Sequence, residues 1–451
     1  MNLRGRSVLV VGLGVSGAAT AAALARLGAL VRVTESATSE AIEERAEVLH
    51  ALGVAVETGG HQLDDLAADL AIVSPGIPPR AEVMGALRDQ GVEMVGEIEL
   101  AGMLARCDLL AVTGTNGKTT TTSLLAAMLA EADIPSTAAG NIGRPLIEAV
   151  AEIGPGGAIA VEVSSFQLDT IRTFRPRVAV LLNIAEDHTD WHGSFQAYAA
   201  AKAKMVQNQR AEDHVVFNLE DPTVGRIAER SAARTVPFSV SRAPETGIGI
   251  GGDRILWRGR DLIGVGELSL LGAAGVEDSL AAAGAALAYG LDEAPVARAL
   301  RSFRSLPHRM DLVAEMDGIR YIDDSKATNP HATLAAVRGM EGVVLIAGGR
   351  SKGMDLAALV ATVPAVVAVV ALGEARDEVA RVFAGKVPVE LVDSMSDAVR
   401  FAMKLVQPGG SVLLSPGCAS LDMYENYAER GDDFARAVQR SLEGKRHRGK
   451  S

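Results

Sequence analysis

A glycine-rich segment that ends in a lysine and threonines carries the most specific chemical signal in the sequence. Thr113-Gly114-Thr115-Asn116-Gly117-Lys118-Thr119-Thr120 follows the apolar run Leu110–Val112 and precedes a segment with helical periodicity. In such loops, backbone N–H groups and the lysine bind phosphates, and the hydroxyl after the lysine binds Mg²⁺. The first glycine of the full P-loop pattern would fall on Val112, so the pattern is shortened. The segment predicts nucleotide-phosphate binding by Gly114, Thr115, Asn116, Gly117, Lys118, Thr119 and Thr120.

A second glycine-rich turn lies near the N-terminus. Gly12-Leu13-Gly14-Val15-Ser16-Gly17 follows the apolar run Val8–Val11, and Glu35 ends the next such run about 20 residues further on. A turn of this kind presents backbone N–H groups at a helix N-terminus to a pyrophosphate, and the carboxylate can accept from a ribose hydroxyl. These residues alone favour an NAD site. A turn required only for close packing of strand against helix is the alternative.

A third strand end carries glycines and cations, at Gly348-Gly349-Arg350-Ser351-Lys352-Gly353 after Val343–Ala347. Short β-branched runs alternate with alanine-rich helical segments, which is typical of α/β proteins with largely parallel sheets that bind ligands beyond the carboxyl ends of their strands. We expect strands at 7–11, 109–113, 158–163, 178–184, 343–347 and 411–414. One sheet for each glycine-marked segment predicts three domains, 1–96, 97–303 and 304–451, with boundaries near Gly96 and 302–305.

Composition limits the classes of function. The 451 residues contain 44 Lys+Arg and 56 Asp+Glu, a net charge of −12, which argues against sequence-independent binding to nucleic acid or anionic membranes. Cys107 and Cys418 cannot form a disulfide framework and have no metal-ligand spacing, so a reducing compartment is expected. Met1–Ser7 lacks a signal-peptide pattern, and the longest apolar run, Ala365–Leu372, is far shorter than the ~20 residues of a membrane span. A cytoplasmic protein with a short basic, frayed tail at Lys445–Lys450 is expected.

The loop Thr113–Thr120 resembles the ATP-binding loop shared by the Mur ligases and folylpolyglutamate synthetases, in which the first glycine is also absent. Three further segments similar to this superfamily follow in order: Gly140–Gly143, Glu162–Leu168 and Asn183–His188. Near the carboxyl end, the segments similar to the D-glutamate-adding branch of the Mur ligases are Leu306–Arg309, Asp323–Asn329, Leu414–Asp422 and Arg430–Phe434. The resemblance therefore covers essentially the whole chain.

This resemblance implies a fold and an activity. The expected fold is α/β with a Rossmann-like N-terminal domain, a central P-loop-type ATPase domain with a mostly parallel sheet, and a Rossmann-like C-terminal domain. The expected activity is ATP-dependent joining of D-glutamate to UDP-N-acetylmuramoyl-L-alanine through an acyl phosphate, with release of ADP and phosphate. It implies small-molecule partners only, a monomer, and a place in peptidoglycan precursor synthesis. In this family the first domain binds the UDP part of the substrate and no dinucleotide.

The resemblance also assigns substrate-binding residues. The UDP part is expected at Gly14, Val15, Ser16, Glu35, Ser36, Ser74, Pro75 and Gly76. The muramoyl peptide is expected at Asn141 and His188, and the substrate or phosphate is expected to pass Ser164 and Gln167. Local turn and cap hydrogen bonds are the alternative for these side chains. The D-glutamate carboxylates are expected at Thr328, Lys352, Ser420 and Tyr427.

The remaining assignments concern the nucleotide and the metal. Arg309, Asp324 and Lys326 match nucleotide contacts, and Asp278 stands near the position of a family asparagine that reads adenine but is missing here. Two magnesium sites are implied, with Thr119 and Glu162 at one and His188 at the other. Lys202 matches a lysine that carbon dioxide converts to a metal-bridging carbamate. Lys118, His188 and Lys202 are the expected catalytic residues.

Three alternatives remain open at this stage. Another amide ligase of the superfamily would share the central motifs, but Asp324–Asn329 favours the D-glutamate branch. An NAD-dependent dehydrogenase would use Gly12–Gly17 and leave the lysine loop unexplained. A P-loop regulatory switch would use Gly114–Thr119 and leave the carboxyl third unexplained. Because the ligand sites lie in different segments, closure of the C-terminal domain on the centre is also expected.

Overall fold

A computed structural model describes residues 2–270, 272–304 and 307–448. Ser305 and Leu306, at the second predicted boundary, and the last residues of the basic tail lie outside these ranges. The chain forms three β-sheets whose strands alternate with helices along the sequence, which confirms the predicted α/β fold class. The first two sheets belong to one compact unit, residues 1–267 with 278–301, and the third belongs to another.

The first sheet has five parallel strands in the order β3-β2-β1-β4-β5. Its strands are β1 Ser7–Val11, β2 Leu30–Thr34, β3 Ala55–Glu57, β4 Leu70–Val73 and β5 Met94–Gly96, and its helices are α1 Val15–Arg26, α2 Glu40–Ala51, α3 Glu82–Asp89 and α4 Glu97–Leu104. The alternation of buried β-branched runs with helices produces this Rossmann-like order. The order reverses between β1 and β4, so the turns after these two strands meet at the carboxyl edge.

The middle sheet has nine strands in the order β14-β13-β12-β11-β10-β9-β6-β8-β7, and only the pairs among β12, β13 and β14 are antiparallel. The strands are β6 Asp108–Thr113, β7 Ser136–Gly140, β8 Ala158–Glu162, β9 Val178–Leu181, β10 His214–Asn218, β11 Arg234–Ser239, β12 Ile248–Gly251, β13 Arg254–Trp257 and β14 Arg260–Gly264. The helices are α5 Lys118–Glu131, α6 Leu146–Glu152, α7 Ser165–Asp169, α8 Thr189–His192, α9 Phe195–Ala203, α10 Pro222–Ala228, α11 Gly272–Tyr289 and α12 Glu293–Ser302. Strand β6 lies between β8 and β9, so the segments that follow these three strands share one edge.

The third sheet has the order β15-β16-β20-β17-β18-β19, with β15 as its antiparallel edge strand. Its strands are β15 Asp311–Met316, β16 Ile319–Asp323, β17 Val343–Gly348, β18 Val366–Leu372, β19 Val389–Leu391 and β20 Ser411–Leu414, and its helices are α13 Pro330–Val337, α14 Arg376–Phe383, α15 Met395–Leu405 and α16 Tyr427–Arg448. Short 3₁₀ helices at Lys204–Val206, Val265–Glu267 and Leu356–Thr362 complete the secondary structure of the described residues. Among the helices described, none combines the length and apolar character needed to cross a bilayer.

Candidate active site

The phosphate loop begins where β6 ends, and Gly117, with φ of +83°, leads into helix α5. The Thr115 N–H donates to the carbonyl of Asn183 (2.8 Å), and the Asn116 N–H donates to the side-chain Oδ1 of Asn183 (2.9 Å). The segment after the neighbouring strand β9 therefore braces the loop. Asn183 was not among the predicted site residues, although its position shortly after a buried strand was a signal.

Two lysine side chains donate to the same carbonyl of this loop, that of Gly114. Lys118 Nζ donates to the carbonyls of Gly114 (2.9 Å) and Thr115 (2.8 Å), and Lys202 Nζ, from α9, donates to the same Gly114 carbonyl (2.8 Å). Lys202 is only 1% exposed. Its pKa lies well below the usual lysine value, first because of burial and second because of the neighbouring Lys118 charge. The surroundings of Lys202 thus favour a neutral amine.

Glu162 ends strand β8 beside the loop and has a carboxylate oxygen that the described residues leave without a partner. Its Oε1 accepts from Asn141 Nδ2 (2.8 Å), whereas its buried Oε2 has no hydrogen-bond partner. A buried carboxylate oxygen of this kind suits a hard cation such as Mg²⁺. No cluster of three or more His, Cys, Asp or Glu side chains suitable for a metal occurs in the described part of the chain. Glu162 therefore fits a Mg²⁺ that takes its other ligands from hydroxyls, water and phosphates, and Thr119 lies in the first turn of α5.

His188 adopts a left-handed backbone conformation, with φ of +50°, immediately before α8. Its ring packs edge-on against Phe166 at a centroid distance of 4.7 Å, and its Nε2 lies 3.6 Å from Asp187 Oδ2. The ring is also 6.3 Å from that of Tyr198, over which Lys202 Nζ lies at 4.8 Å. Asp187 and Glu162 both lie near enough to Lys202 to oppose the lowering of its pKa. Glu162, His188 and Lys202 are thus grouped at the edge where the phosphate loop lies.

Ser164 and Gln167, predicted to meet the substrate, form the capping box of helix α7. The Gln167 N–H donates to Ser164 Oγ (3.3 Å), and the Ser164 N–H donates to Gln167 Oε1 (2.9 Å). Both side chains are 9% exposed. Their side chains accept from backbone N–H groups at the N-terminus of α7, which follows shortly after β8. They therefore help to fix the segment after Glu162.

Asp278 lies against the end of the phosphate loop. A Cβ atom on Gly117 would approach Asp278 Oδ1 to 2.2 Å, and Asp278 Oδ1 accepts from Thr121 Oγ1 (3.3 Å). The carboxylate is 9% exposed and touches the first turn of α5. This position couples Asp278 to the loop backbone, a contact that the sequence prediction of adenine recognition did not include.

The predicted UDP residues surround the carboxyl edge of the first sheet. Gly14 is the N-cap of α1. Glu35 accepts from the N–H groups of Leu13 (2.7 Å) and Ala37 (2.9 Å). Burial raises the pKa of Glu35, but these N–H donors outweigh burial and hold it below the usual value. Ser36 Oγ also donates to Glu35 (3.3 Å). The Glu35 carboxylate, which was predicted to bind the ligand, is thus also hydrogen-bonded to the glycine-rich turn through Leu13.

The last predicted residues of this site follow strand β4. Ser74 is buried and donates its hydroxyl to Glu97 Oε1 (2.5 Å), while Pro75 is half-buried and Gly76 is exposed. Glu97 was not predicted as a site residue, because its partner lies 23 positions away in sequence.

The third sheet collects the remaining predicted residues at its carboxyl edge. Asp324 Oδ2 accepts from Ser415 Oγ (2.9 Å), and burial raises the pKa of Asp324 to about 7, with the nearby Arg309 charge acting in the other direction. Lys326 Nζ lies 3.7 Å from the centroid of the Tyr427 ring. Thr328 is half-buried in the same segment after β16.

Two further loops of this edge are joined through their backbones. Arg350 and Ala419 exchange N–H···O hydrogen bonds of 2.8 and 3.0 Å, which places the loop of the exposed Lys352 beside the loop of the buried Ser420. The buried Arg430 lies in a segment that resembles the family, but it was not predicted as a site residue. It donates to Ser325 and to the carbonyl of Cys418. It thereby holds together the segments after β16 and β20.

Comparisons with known proteins agree with this geometry. Residues 6–96 match the family model "Mur ligase MurD-like, N-terminal domain", residues 112–286 match "Mur ligase middle domain", and residues 308–418 match "Mur ligase, glutamate ligase domain". A relative from Caldanaerobacter subterraneus subsp. tengcongensis is 39% identical over 97% of this chain and 99% of its own length. One from Frankia casuarinae is 43% identical over 98% and 95%. Both are named UDP-N-acetylmuramoylalanine--D-glutamate ligase. The solved structure of the UDP-N-acetylmuramate-alanine ligase MurC from Thermotoga maritima, 19% identical, superposes with a TM-score of 0.62 over 97% of this chain and 100% of that one.

The family matches and the named relatives, together with a phosphate loop in the middle sheet, identify an ATP-dependent, amide-bond-forming ligase. The N-terminal match to a MurD-like domain disfavours a dinucleotide site at Gly12–Gly17 and with it the dehydrogenase alternative. The chain belongs to the Mur ligase family, in its MurD branch.

Proposed function

We propose that the chain ligates D-glutamate to UDP-N-acetylmuramoyl-L-alanine while ATP is converted to ADP and phosphate. The observation that carries the proposal is the edge of the middle sheet, where Lys118 and Lys202 meet at the Gly114 carbonyl beside Glu162. The names of the full-length relatives supply the two substrates. This reaction belongs to cytoplasmic peptidoglycan precursor synthesis, and hence to cell-wall biogenesis, cell shape and cell division.

The chemistry requires an activated carboxylate, because a free carboxylate is a poor electrophile with no leaving group. One oxygen of the L-alanine carboxylate attacks the γ-phosphorus of ATP, which gives an acyl phosphate and ADP. The amine of D-glutamate then adds to the acyl carbon, and phosphate leaves with that carboxylate oxygen. Negative charge develops on oxygen in both steps, and preorganised cations stabilise it. Lys118 Nζ donates to the loop carbonyls of Gly114 and Thr115, and it would donate instead to the β- and γ-phosphates when ATP is bound.

The metal assignments extend this proposal. Glu162 and Thr119 would hold Mg²⁺, which neutralises phosphate oxygens when bound. His188 would serve a second site, and Lys202 would bridge the two sites as a carbamate. Burial supports the carbamate, because only a neutral amine reacts with carbon dioxide, and burial lowers the pKa of Lys202.

The other two sheets would bind the two acceptor substrates. The UDP part would lie at the N-terminus of α1 and beside Ser74, where backbone N–H groups face the carboxyl edge. The D-glutamate carboxylates would be held by Lys352, Thr328, Ser420 and Tyr427. Arg309, Asp324 and Lys326 would contact the nucleotide, and Asp278 would lie near its adenine.

The domain limits and the state in solution belong to the same proposal. We place the domains at 1–96, 97–303 and 304–451, with a monomer as the working form and closure of the C-terminal domain on ligand binding. The sheets fall within these limits, since β5 ends at Gly96 and β15 begins at Asp311. Small-angle scattering that detects no compaction with ATP and the UDP-linked substrate would count against closure.

A phosphate-release assay tests the activity. Phosphate should be released only when ATP, UDP-N-acetylmuramoyl-L-alanine and D-glutamate are all present, and mass spectrometry should detect the product extended by one D-glutamate. Release that requires a different amino acid, or a folate acceptor, would favour another ligase of the superfamily. Reduction of a nicotinamide cofactor would favour the dehydrogenase alternative.

The role of Lys202 has a matched control two residues away. Lys202→Ala should abolish turnover, and short-chain carboxylates should restore part of it if a carbamate is required. Lys204→Ala removes a half-buried lysine that pairs with Asp169 (2.7 Å) and should keep most of the activity. Undiminished turnover of the Lys202 variant would rule out the proposed role.

A further inference from the structure

Two buried carboxylates begin helix α4, directly after the last strand of the first sheet. Glu97 is 7% exposed and Glu99 is 2% exposed. Residues two positions apart project from different sides of a helix, so the two side chains reach different surroundings. Buried carboxylates are costly unless they are hydrogen-bonded, which makes the partners of each one informative.

Glu97 holds two segments of the first sheet together. Its Oε1 accepts from Ser74 Oγ (2.5 Å), and the side chain of Ser16 lies near enough to the same carboxylate to oppose the rise in pKa that burial causes. Ser16 lies in the first turn of α1 after the glycine-rich turn, and Ser74 follows β4. These are the segments on either side of the reversal in strand order, and both carry residues predicted to bind the UDP part. One carboxylate therefore lies between both walls of that site and is hydrogen-bonded to the Ser74 wall.

Glu99 makes the second attachment, to the middle sheet. Its Oε2 accepts from the N–H groups of Arg172 and Phe174 (2.9 Å each), and its Oε1 accepts from the N–H (2.7 Å) and the hydroxyl of Thr173. This segment connects α7 to β9, the strand that precedes Asn183 and the brace of the phosphate loop. Helix α4 thus joins the glycine-rich turn of the first sheet to the middle sheet through two carboxylates on one turn.

We propose that Glu97 is a positioning residue for the UDP-bearing substrate, which it serves by orienting Ser16 and Ser74 at the walls of the binding site. Glu99 anchors the same helix to the middle sheet, so the UDP site keeps its place relative to the phosphate loop. This inference rests on the proposed function in one respect, the placing of the UDP part at the first sheet. Without the carboxylate Ser74 loses its acceptor and Ser16 loses its neighbouring carboxylate, so the turn and the Ser74 segment can separate.

The test compares Glu97→Gln with Glu82→Gln, which changes an exposed first-turn glutamate of α3 in the same sheet. Loss of the carboxyl acceptor of Ser74 should raise the KM for the UDP-linked substrate about tenfold in Glu97→Gln. Its kcat and its KM values for ATP and D-glutamate should stay within about twofold of the wild type. Glu82→Gln should match the wild type in all of these. Glu97→Asp keeps a carboxyl group on a shorter side chain and should give an intermediate KM.

The Glu99→Gln variant distinguishes a positioning effect on the UDP-linked substrate from a general loss of stability. It should lower the midpoint of thermal unfolding without a selective change in the KM for the UDP-linked substrate. An unchanged KM in Glu97→Gln, or an equal loss in every kinetic constant, would overturn the positioning role. If Glu97→Gln does not fold, Glu97→Asp decides on the same criteria.

Direct titration with UDP alone keeps the inference separate from the proposed reaction. Weaker UDP binding by Glu97→Gln than by the wild type supports the inference even if the wild type shows no ligase turnover, in which case the proposed reaction alone fails. Equal UDP affinities overturn the inference even where turnover is present. Absence of UDP binding by the wild type overturns it as well.

Discussion

Replacing Gly117 with alanine should weaken the phosphate loop through a specific collision. Gly117 has φ of +83°, and an added Cβ would lie 2.2 Å from Asp278 Oδ1. That oxygen accepts from Thr121 Oγ1 (3.3 Å) and is buried, so it cannot swing into solvent without losing this bond. The substitution therefore combines backbone strain with displacement of a buried carboxylate.

The expected cost can be estimated for each part. The left-handed conformation costs a non-glycine residue roughly 1–2 kcal/mol. Displacing a hydrogen-bonded buried polar group costs about 1–3 kcal/mol. Gly156 supplies the matched control, because its φ is +84° and no heavy atom lies within 4 Å of an added Cβ. Gly156→Ala should thus lose only ~1–2 kcal/mol, whereas Gly117→Ala should lose ~2–5 kcal/mol.

Urea unfolding followed by tryptophan fluorescence measures the difference. The two tryptophans, Trp191 and Trp257, lie in α8 and β13, so the signal reports on the unit that contains Gly117. The double variant Gly117→Ala/Asp278→Ala removes the collision. Its loss of unfolding free energy should therefore be smaller than the sum of the losses in the two single variants. Equal losses in Gly117→Ala and Gly156→Ala, or strict additivity in the cycle, would refute the reasoning.

Further predictions concern each sheet. In Gly17→Ala the added Cβ would lie 2.1 Å from the Gly12 carbonyl oxygen, so UDP binding should be lost, whereas an added Cβ on Gly85, in α3 of the same sheet, meets no atom within 4 Å and Gly85→Ala should retain binding; equal binding in a UDP titration would contradict this. Burial raises the pKa of Asp324 from 3.8 to about 7, so the stability contributed by its protonated form should be lost as the pH rises through 7. Asp324→Asn should then remove roughly 3 kcal/mol of the fall in unfolding free energy between about pH 5 and pH 8, because about two pH units of that interval lie below the raised pKa, at about 1.4 kcal/mol each. An unchanged pH profile would count against the burial argument. Glu162→Gln should raise the Mg²⁺ concentration for half-maximal turnover about tenfold or more, and an unaltered Mg²⁺ dependence would remove Glu162 from the metal site.

Strands were predictable where buried β-branched runs are bounded by turns. The strands predicted at 7–11 and 411–414 are confirmed at both ends. The strand predicted at 178–184 ends at Leu181, because Asn183 bonds to the phosphate loop and does not extend the ladder. The antiparallel strands β12, β13 and β14 were not predicted, since glycines in β12 and β14 and charged residues in β13 and β14 interrupt the apolar, β-branched pattern.

The loops of the candidate site were predictable because their chemistry is local in sequence. The glycines, the lysine and the hydroxyls that we expect to bind nucleotide phosphates lie within eight residues, at Thr113–Thr120. The groups that brace those loops are distant in sequence, as the contacts of Glu97 with Ser74 and of Asp278 with Thr121 show. Such contacts depend on which strand ends become neighbours in the sheet, and no local pattern encodes that.

Oxygen transfer from the substrate to phosphate tests the central claim most directly. UDP-N-acetylmuramoyl-L-alanine labelled with ¹⁸O in the L-alanine carboxylate should be turned over with ATP and D-glutamate, and the released phosphate analysed by mass spectrometry. Attack of that carboxylate on the γ-phosphate predicts one ¹⁸O atom in each phosphate released. Phosphate without the label, formed while the peptide product accumulates, would contradict an acyl-phosphate ligase.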